Sequence, residues 1–259
     1  MRITFLILFC LCSSSVFCQK NTGTIQAEYR MFCDTDVPLK FTTILWVKDN
    51  TAIYQEKTST TERWEEKPLA ESLKDQSVNF SSLKSDFEPY FKTDLSKKEL
   101  LFYAPLLKNT AFVKDTYDIN WNITGDTKKI AGYNCIKATT VFRGREWVAW
   151  FAPDIALPFG PWKFHGLPGL ILEVYDITNR YTYKLEKIGN LENAAIFQKD
   201  FSTLMPALNK EPMPYRKYLD DKEEAMVNAL RSIDQKLNVV TTKKKIDPNN
   251  REEIKYEWE

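Results

Sequence analysis

The sequence predicts a mostly β (α+β) fold, a strongly curved antiparallel meander sheet or half-barrel with one C-terminal α-helix. Three observations lead to this prediction. Short segments alternate apolar and polar residues, as half-buried strands do. Tight-turn residues separate several of these segments, which favours antiparallel neighbours over βαβ units. One late segment has helical spacing instead.

The first strands are predicted before residue 57. Asp49 and Asn50 separate two of them, and such a pair is typical of a hairpin turn. From residue 57 to 95 the sequence is charged and irregular, and no element is predicted there. The alternating segments are 25–33, 41–48 and 51–56.

Six further strands are predicted between residues 99 and 188. Arg143 and Gly144 form a tight turn between two of them, and residues 177–180 connect another pair as a hairpin. The segments are 99–105, 111–121, 132–142, 145–153, 169–176 and 181–188.

The helix is predicted from Tyr215 onward, after Pro212 and Pro214, because proline is tolerated at a helix start. Its apolar residues recur at helical spacing opposite a charged face, so we expect this stripe to face the core. The chain after Leu237 is polar and is expected to be solvated. The stripe comprises Tyr218, Leu219, Met226, Ala229, Leu230, Ile233 and Leu237.

The N-terminus has the features of a secretory signal peptide. Arg2 precedes an apolar run from Ile3 to Leu11 that is too short to span a bilayer. We expect cleavage after Cys18. The predicted organisation is therefore a signal peptide (1–18), a single β-rich domain (19–237) and a polar C-terminal tail (238–259).

The charge balance excludes some partners. The chain carries 36 basic and 35 acidic residues, a net charge of +1. Loss of Arg2 with the signal peptide brings the net charge to zero. Because a neutral protein lacks a strong attraction to polyanions, we expect no nucleic-acid partner. No later stretch has 18 uninterrupted apolar residues, so we expect no transmembrane span.

Two cysteines, Cys33 and Cys135, remain after the signal peptide. In an exported protein they can form one disulfide, which would contribute about 4 kcal/mol by closing a long loop. Alternatively both are free thiols, since Cys33 alternates with buried strand residues. One histidine and two distant cysteines make no metal constellation, so no metal and no cofactor are expected.

Turn-forming residues concentrate between 132 and 169, where five of the eight glycines lie. Glycine can adopt positive φ and proline fixes φ at about −65°, so this stretch can follow a defined irregular path. We expect a structured apolar loop that folds back over the sheet. Residues 165–171 are interpreted as a rigid turn at the rim of a ligand site.

The stretch Gly166-Leu167-Pro168-Gly169-Leu170-Ile171 resembles the signature hexapeptide of the GLPGLI family of exported bacterial proteins. The resemblance implies export, a signal peptide and a mostly β domain, and it brings no established activity. Residues 132–137 also resemble envelope lipoprotein-carrier folds, in which a curved sheet holds an apolar ligand. The upstream residues that match in order are Trp121, Thr124, Lys129, Ile130, Ala131, Gly132, Tyr133, Cys135, Lys137, Ala138, Phe142, Arg143, Gly144, Arg145, Ala149, Trp150, Phe151, Pro153, Ile155, Gly160, Pro161 and Phe164.

Seven residues are candidates for ligand binding. Arg143 and Arg145 flank a turn and could clamp an anion, or they could form a charge-paired strand edge. The neighbouring aromatic side chains could line a groove for a sugar or a lipid, or form the core of the sheet. The full set is Arg143, Arg145, Trp147, Trp150, Trp162, Phe164 and His165.

Catalysis has little support in the sequence. His165 is the single histidine, and it is either a loop residue bonded to the backbone or the base of a nucleophilic mechanism. A carboxylate pair for glycoside cleavage is the other possibility. No catalytic residue is assigned. The carboxylates considered, all interpreted as turn or strand-surface residues, are Asp118, Asp126, Asp154, Glu173 and Asp176.

The sequence thus predicts an exported cell-envelope protein of the periplasm or outer-membrane periphery. We expect it to be non-catalytic and to bind a small apolar ligand or to assist an outer-membrane protein complex. One alternative is a periplasmic lipid or lipoprotein carrier. Another is a secreted hydrolase that uses carboxylates.

Overall fold

A computed structural model describes residues 23–68, 87–191, 194–237 and 251–259. In these residues the fold is mostly β, as predicted: twelve strands form one sheet, and one long helix, α1 (Tyr215–Leu237), follows. The strands are β1 (Thr24–Cys33), β2 (Leu39–Lys48), β3 (Thr51–Arg63), β4 (Tyr90–Asp94), β5 (Glu99–Leu106), β6 (Asn109–Asp115), β7 (Asn122–Ile130), β8 (Tyr133–Phe142), β9 (Arg145–Ala152), β10 (Leu170–Asp176), β11 (Tyr181–Leu191) and β12 (Met213–Pro214).

Two antiparallel meanders lie side by side in the sheet. Strands β1 to β6 neighbour one another in sequence order, as do β7 to β11, and β1 pairs with β11 where the meanders meet. β12 adds a short parallel pairing to β6 at one edge. The predicted turns are confirmed, and Asp49, Arg143, Gly144 and Asn179 have the positive φ that tight hairpins require.

Four strands differ from the prediction. No sequence pattern indicated β4 or β7, β3 continues to Arg63 beyond the predicted residue 56, and β6 ends at Asp115 instead of continuing to residue 121. Residues 116–121 leave the sheet after Asp115 and cross to the start of β7, which lies at the opposite edge. The alternation continues through this crossing because its apolar side chains also pack on the core.

The sheet is strongly curved. Asp115 ends β6, second from one edge, and Arg143 follows β8, second from the other edge, yet their side chains are 2.8 Å apart. Curvature of this degree encloses one face of the sheet, which we call the concave face. Its core includes the fully buried Tyr29, Trp147 and Tyr183.

A smaller core lies on the opposite, convex face. Ile53, Tyr103 and Phe112 pack there against Phe201 from the segment that precedes β12. The hydroxyl of Tyr103 donates to the carbonyl oxygen of Phe201 at 2.7 Å. The convex face of these strands is therefore covered by the chain itself, through two short 3-10 helices, Ala195–Gln198 and Phe201–Thr203.

Among the described side chains of α1, those that pack on the main core belong to its first turns. Tyr215 and Tyr218 are buried, whereas Met226, predicted to face the core, is 38% exposed. The prediction was wrong at Met226, because α1 leaves the sheet after its first turns. Later members of the predicted stripe lie in α1, but their side chains are outside the described residues; they are Ala229, Leu230, Ile233 and Leu237.

We call residues 251–259 the terminal segment. The sequence predicted that it is solvated, but part of it is buried. Glu253 is 8% exposed, and Tyr256 and Trp258 pack against the main core. The physical reason is that Glu253 meets buried cationic groups on the concave face. The predicted signal peptide (1–18) and the first part of the predicted tail (238–250) lie outside the described residues.

Cys33 and Cys135 are both free thiols, so the structure has the second of the two predicted alternatives. Cys33 lies on β1 and Cys135 on β8, with three strands between them in the sheet. Among the described residues, no helix is long and apolar enough to cross a membrane.

Candidate functional site

The loop between β9 and β10 contains the stretch that resembles the GLPGLI signature, which we call the signature loop, and it is locked by its own backbone. Gly166 has φ +95°, which strains any other residue. Gly169 is needed for a different reason: a Cβ there would lie 2.3 Å from the carbonyl oxygen of Ala152. Leu170 donates its amide to Ile155, at 2.9 Å, which closes the loop onto the strand entrance.

Other signature residues bind the loop to the sheet. A Cβ on Gly160 would lie 2.8 Å from Ile171, so the loop and β10 approach closely. The hydroxyl of Tyr29 on β1 donates to the carbonyl oxygen of Ile171 at 2.8 Å. Leu167 and Leu170 are fully buried, Pro161 is buried, and Pro168 is exposed. The loop is therefore a fixed part of the concave face, as the sequence predicted.

This fixed loop places a lysine beside a buried arginine. Lys163 has a relative exposure of 2% and follows Trp162, whose φ of +55° turns the chain inward. Its ammonium lies 3.3 Å from the carboxylate of Asp115, the partner of Arg143. We call Arg143, Lys163 and Asp115 together the Arg143–Lys163 centre.

Arg143 is fully enclosed, with no exposed side-chain surface. Two of its nitrogens donate to the two oxygens of Asp115, each at 2.8 Å, in the bidentate arrangement that fits a guanidinium to a carboxylate. Burial alone would raise the pKa of Asp115, but Lys163 and Arg143 outweigh it and hold that pKa below its ordinary value. Aromatic rings surround the guanidinium at 5.1–6.0 Å; they belong to Tyr117, Phe142, Tyr215, Tyr256 and Trp258.

The terminal segment supplies the remaining anion. Glu253 accepts from Arg143 at 2.6 Å and from Lys163 at 2.7 Å through the same oxygen. Its other oxygen accepts from the hydroxyl of Tyr215 at 2.5 Å. Glu257, half-exposed, also accepts from Arg143, at 3.0 Å. One carboxylate from outside the sheet thus meets three donors that the sheet, the loop and α1 provide.

Arg145 binds the same segment at its beginning. Two of its nitrogens donate to the carbonyl oxygen of Arg251, at 2.9 and 2.6 Å. Its third contact is to Asp176, at 3.1 Å. Asp176 is 1% exposed, so the prediction that it is a surface residue was wrong: it is buried because Arg145 and the backbone amide of Tyr181 bind its carboxylate.

Three of the predicted aromatic residues form one cluster in the core. The ring of Phe164 lies 4.8 Å from Trp147 and 5.3 Å from Trp162, in edge-to-face contacts. All three are at most 4% exposed, so they form the floor beneath the Arg143–Lys163 centre and do not line an open groove.

Trp150 does not join this cluster. It alternates with Trp147, Ala149 and Phe151 along β9, so its ring lies on the opposite face of the sheet. There the ammonium of Lys128 lies 4.4 Å from the ring centre. Closeness in sequence therefore does not place Trp150 on the same face as Trp147.

His165 lies beside the centre without taking part in it. Its carbonyl oxygen accepts from the indole of Trp121 at 2.8 Å, and its ring lies 5.4 Å from the ring of Tyr117. Burial lowers the pKa of His165 to about 4, so the ring is neutral at pH 7. Gly132 and Tyr133 lie at the turn between β7 and β8, where Gly132 has φ +88°.

A second acid of the terminal segment, half-buried, packs against the sheet. The hydroxyl of Tyr183 donates to Glu252 at 2.5 Å. Burial raises the pKa of Glu252 to about 7. Burial, and then the charge of Glu252, raises the pKa of Glu56 on β3. Both acids therefore keep their protons to a higher pH than an exposed glutamate does.

Sequence reasoning found Arg143 and Arg145 but missed the groups around them. Lys163 is the one charged residue among the apolar residues 155–164, which could have marked it as functional. Asp115, Tyr215 and Glu253 had no such signal, because the sheet, α1 and the terminal segment meet only in the tertiary structure.

The family comparison points to the same part of the chain. A family model described as "Protein of unknown function (Porph_ging)" matches residues 142–173. This segment contains Arg143, Lys163 and the signature loop. No curated protein matches the chain significantly.

Among the solved structures, one similarity reaches a TM-score above 0.5. PNGF-II in its P21 crystal form matches with a TM-score of 0.53 and 15% identity, covering 78% of this chain and 34% of that chain. The chain thus spans about a third of PNGF-II, and the likeness concerns the fold alone. An uncharacterized conserved protein from Thermus thermophilus scores 0.37 at 8% identity, covering 75% and 91% of the two chains. An outer membrane lipoprotein-sorting protein domain from Vibrio parahaemolyticus scores 0.28 at 9% identity, covering 66% and 86%.

Proposed function

We propose that the protein is an exported, non-catalytic binding protein of the cell envelope, in the periplasm or at the outer-membrane periphery. Its ligand carries a carboxylate and binds on the concave face at the Arg143–Lys163 centre. The signal-peptide pattern of residues 1–18 supports export. The hexapeptide at 166–171 and its upstream partners support membership of the GLPGLI family, with a single domain over 19–237.

The charge of the centre carries the proposal. Arg143 and Lys163 bring two positive charges, and Asp115 brings one negative charge, so the centre has a net charge of +1 without the terminal segment. A buried, unbalanced charge is strongly unfavourable. Glu253 neutralises it, and Tyr215 donates to the same carboxylate. The geometry therefore suits a carboxylate with three donors.

A carboxylate-bearing ligand fits the site better than the purely apolar ligand that the sequence predicted. A lipid or lipoprotein carrier needs an apolar cavity. Two pockets formed by the described residues have volumes of about 170 and 270 Å³, below the roughly 300–1,000 Å³ of typical ligand pockets. Charged residues line both, among them Asp94, Glu99 and Asp118 in the first and Lys48, Lys92 and Lys199 in the second.

Binding is also better supported than hydrolysis. A glycoside hydrolase needs one protonated and one ionised carboxyl group flanking the substrate. At the centre, the lowered pKa keeps Asp115 ionised, and Arg143 occupies both of its oxygens. Glu253 is likewise paired with Arg143 and Lys163. Both carboxylates are thus engaged in ion pairs within the protein, and neither is free to flank a substrate.

Chemical rescue tests the proposal. Glu253→Ala in the full chain removes the carboxylate and leaves its donors in place, which should cost about 3–5 kcal/mol because a buried charge loses its partner. Sodium acetate should restore thermal stability. For a millimolar Kd, an acetate concentration roughly a hundred times the Kd raises the unfolding free energy by about 2.7 kcal/mol. The matched control is Glu257→Ala, half-exposed on the same segment, with an expected loss below about 1 kcal/mol.

Sodium chloride and acetamide separate the outcomes. Recovery of the melting temperature with acetate, and not with equal ionic strength of chloride or with neutral acetamide, supports a carboxylate site. Equal recovery with chloride would reduce the effect to screening. A Glu253→Ala protein as stable as the wild type would contradict the charge argument.

A further inference from the structure

We propose that the concave face is a recognition site for an acidic–aromatic peptide of a partner protein, and that the terminal segment is the chain's own tethered occupant of this site. This inference rests on the proposed function and names its ligand class. The pattern recognised is that of residues 252–258, two acids followed by two alternate aromatic residues.

The receptor side of the site is built without the segment. Asp115 holds Arg143 through two hydrogen bonds, and it also contacts Lys163. The ammonium of Lys163 is stacked 4.4 Å from the ring of Tyr215. Asp176 orients Arg145 in the same way. The donors are thus positioned by the folded sheet, its loop and α1, and the segment contributes only the groups that they bind.

The backbone of the segment is held as that of a bound peptide would be. It forms none of the twelve strands, and its residues add no ladder to the sheet. The amides of Ile254 and Lys255 donate to the carbonyl oxygen of Arg143, at 2.8 and 3.1 Å. Gly144 permits this approach, because a Cβ there would lie 3.0 Å from the nitrogen of Lys255. Because these contacts involve only main-chain atoms, they do not depend on the side chains of the bound segment.

Side chains supply the selectivity. Glu253 fills the centre, and Glu252 accepts from the hydroxyl of Tyr183. Tyr256 and Trp258 stack on each other at 4.9 Å with parallel rings, and each makes an edge-to-face contact with Tyr215. Between these anchors the side chain of Lys255 faces outward, whereas Glu257, half-exposed, accepts from Arg143. A partner peptide therefore needs both acids and both aromatic residues, with free choice at the position of Lys255.

Competition in cis sets how a partner binds. An occupant joined to its own site competes at an effective concentration on the order of millimolar for a short connection. A free peptide of the same sequence should therefore bind the wild-type protein weakly. Weakening the tethered occupant, without touching the receptor residues, should strengthen binding of the free peptide.

The experiment uses a fluorescent peptide with the sequence of residues 251–259 and the full-length protein, with fluorescence anisotropy as the readout. In the protein, Trp258→Ala weakens the tethered segment, and we expect the free peptide to bind this variant at least ~10-fold more tightly than the wild type. In the peptide, Glu253→Gln should cost at least ~10-fold. Lys255→Ala in the peptide is the matched control and should change affinity less than about twofold, since this side chain is exposed.

The following results support or overturn the inference. Tighter binding to the Trp258→Ala protein together with loss on Glu253→Gln supports the inference. Equal binding of a scrambled peptide, or equal affinity for both proteins, overturns it. If acetate rescues Glu253→Ala but the peptide does not bind, the result supports the carboxylate site and overturns peptide recognition. If both experiments fail, the proposed function fails as well. Circular dichroism checks that Trp258→Ala is folded, and Tyr256→Ala serves as a second variant.

Discussion

Gly169→Ala is predicted to be the most damaging alanine substitution in the signature loop. Gly169 has no positive φ, so its requirement comes from space: the added Cβ would lie 2.3 Å from the carbonyl oxygen and 2.7 Å from the carbonyl carbon of Ala152. These are backbone atoms of β9, the strand that pairs with β10 at this point. Relief therefore requires the two strands to move apart.

The size of the effect follows from that displacement. Overpacking a well-packed site costs about 1–3 kcal/mol, and here the obstacle is backbone, so we expect about 3 kcal/mol or more. For a chain of this size, that corresponds to a melting temperature lower by roughly 6–12 °C. Gly166→Ala should cost about 1–2 kcal/mol, because its strain comes from φ +95° while its Cβ meets nothing closer than 3.9 Å.

Thermal unfolding of three variants, followed by circular dichroism, checks this order. Gly189→Ala on β11 is the control, since a Cβ there has no heavy atom within 4 Å and φ is not positive. It should be neutral or slightly stabilising, as Gly→Ala at a compatible position gains about 0.4–1 kcal/mol. A Gly169→Ala protein that melts together with Gly189→Ala would refute the close approach of the two strands.

Three further predictions concern ionisation and redox state. Because burial raises the pKa of Glu252 to about 7, the stability it contributes is complete below its ordinary value of 4.5 and is lost as the pH rises through 7. Glu252→Gln should therefore raise the unfolding free energy at pH 8, by at most about 3 kcal/mol, and leave it little changed near pH 4.5; denaturant titration at both pH values measures this. The pH dependence from His165 runs the other way. Because burial lowers its pKa to about 4, the stability it contributes is complete above pH 6.5 and is lost as the pH falls through 4. His165→Gln should therefore reduce the fall in unfolding free energy between pH 6.5 and 4. Because Cys33 and Cys135 are free, dithiothreitol should leave the melting temperature unchanged, whereas a fall of several degrees would reveal a disulfide.

Local sequence patterns were sufficient for much of the sheet. Alternation placed most strands, because a half-buried strand must send every second side chain to the core. Asp49 and Gly144 marked hairpins, since tight turns need residues that tolerate positive φ. The same rule assigns Trp150 to the face of the sheet opposite Trp147.

The site is a product of the tertiary structure. Arg143 is the one member of its centre that a turn motif marked, while Asp115 lies 28 residues earlier and Glu253 110 residues later in the chain. Three charges so far apart in sequence show no shared pattern. Asp115 and Arg143 meet because β1 pairs with β11 and the two meanders curve as one sheet. Glu253 joins them because the buried charges of Arg143 and Lys163 exceed the single negative charge of Asp115. The sequence determined which residues can form strands and turns, and the folded chain decided which charges must neutralise one another.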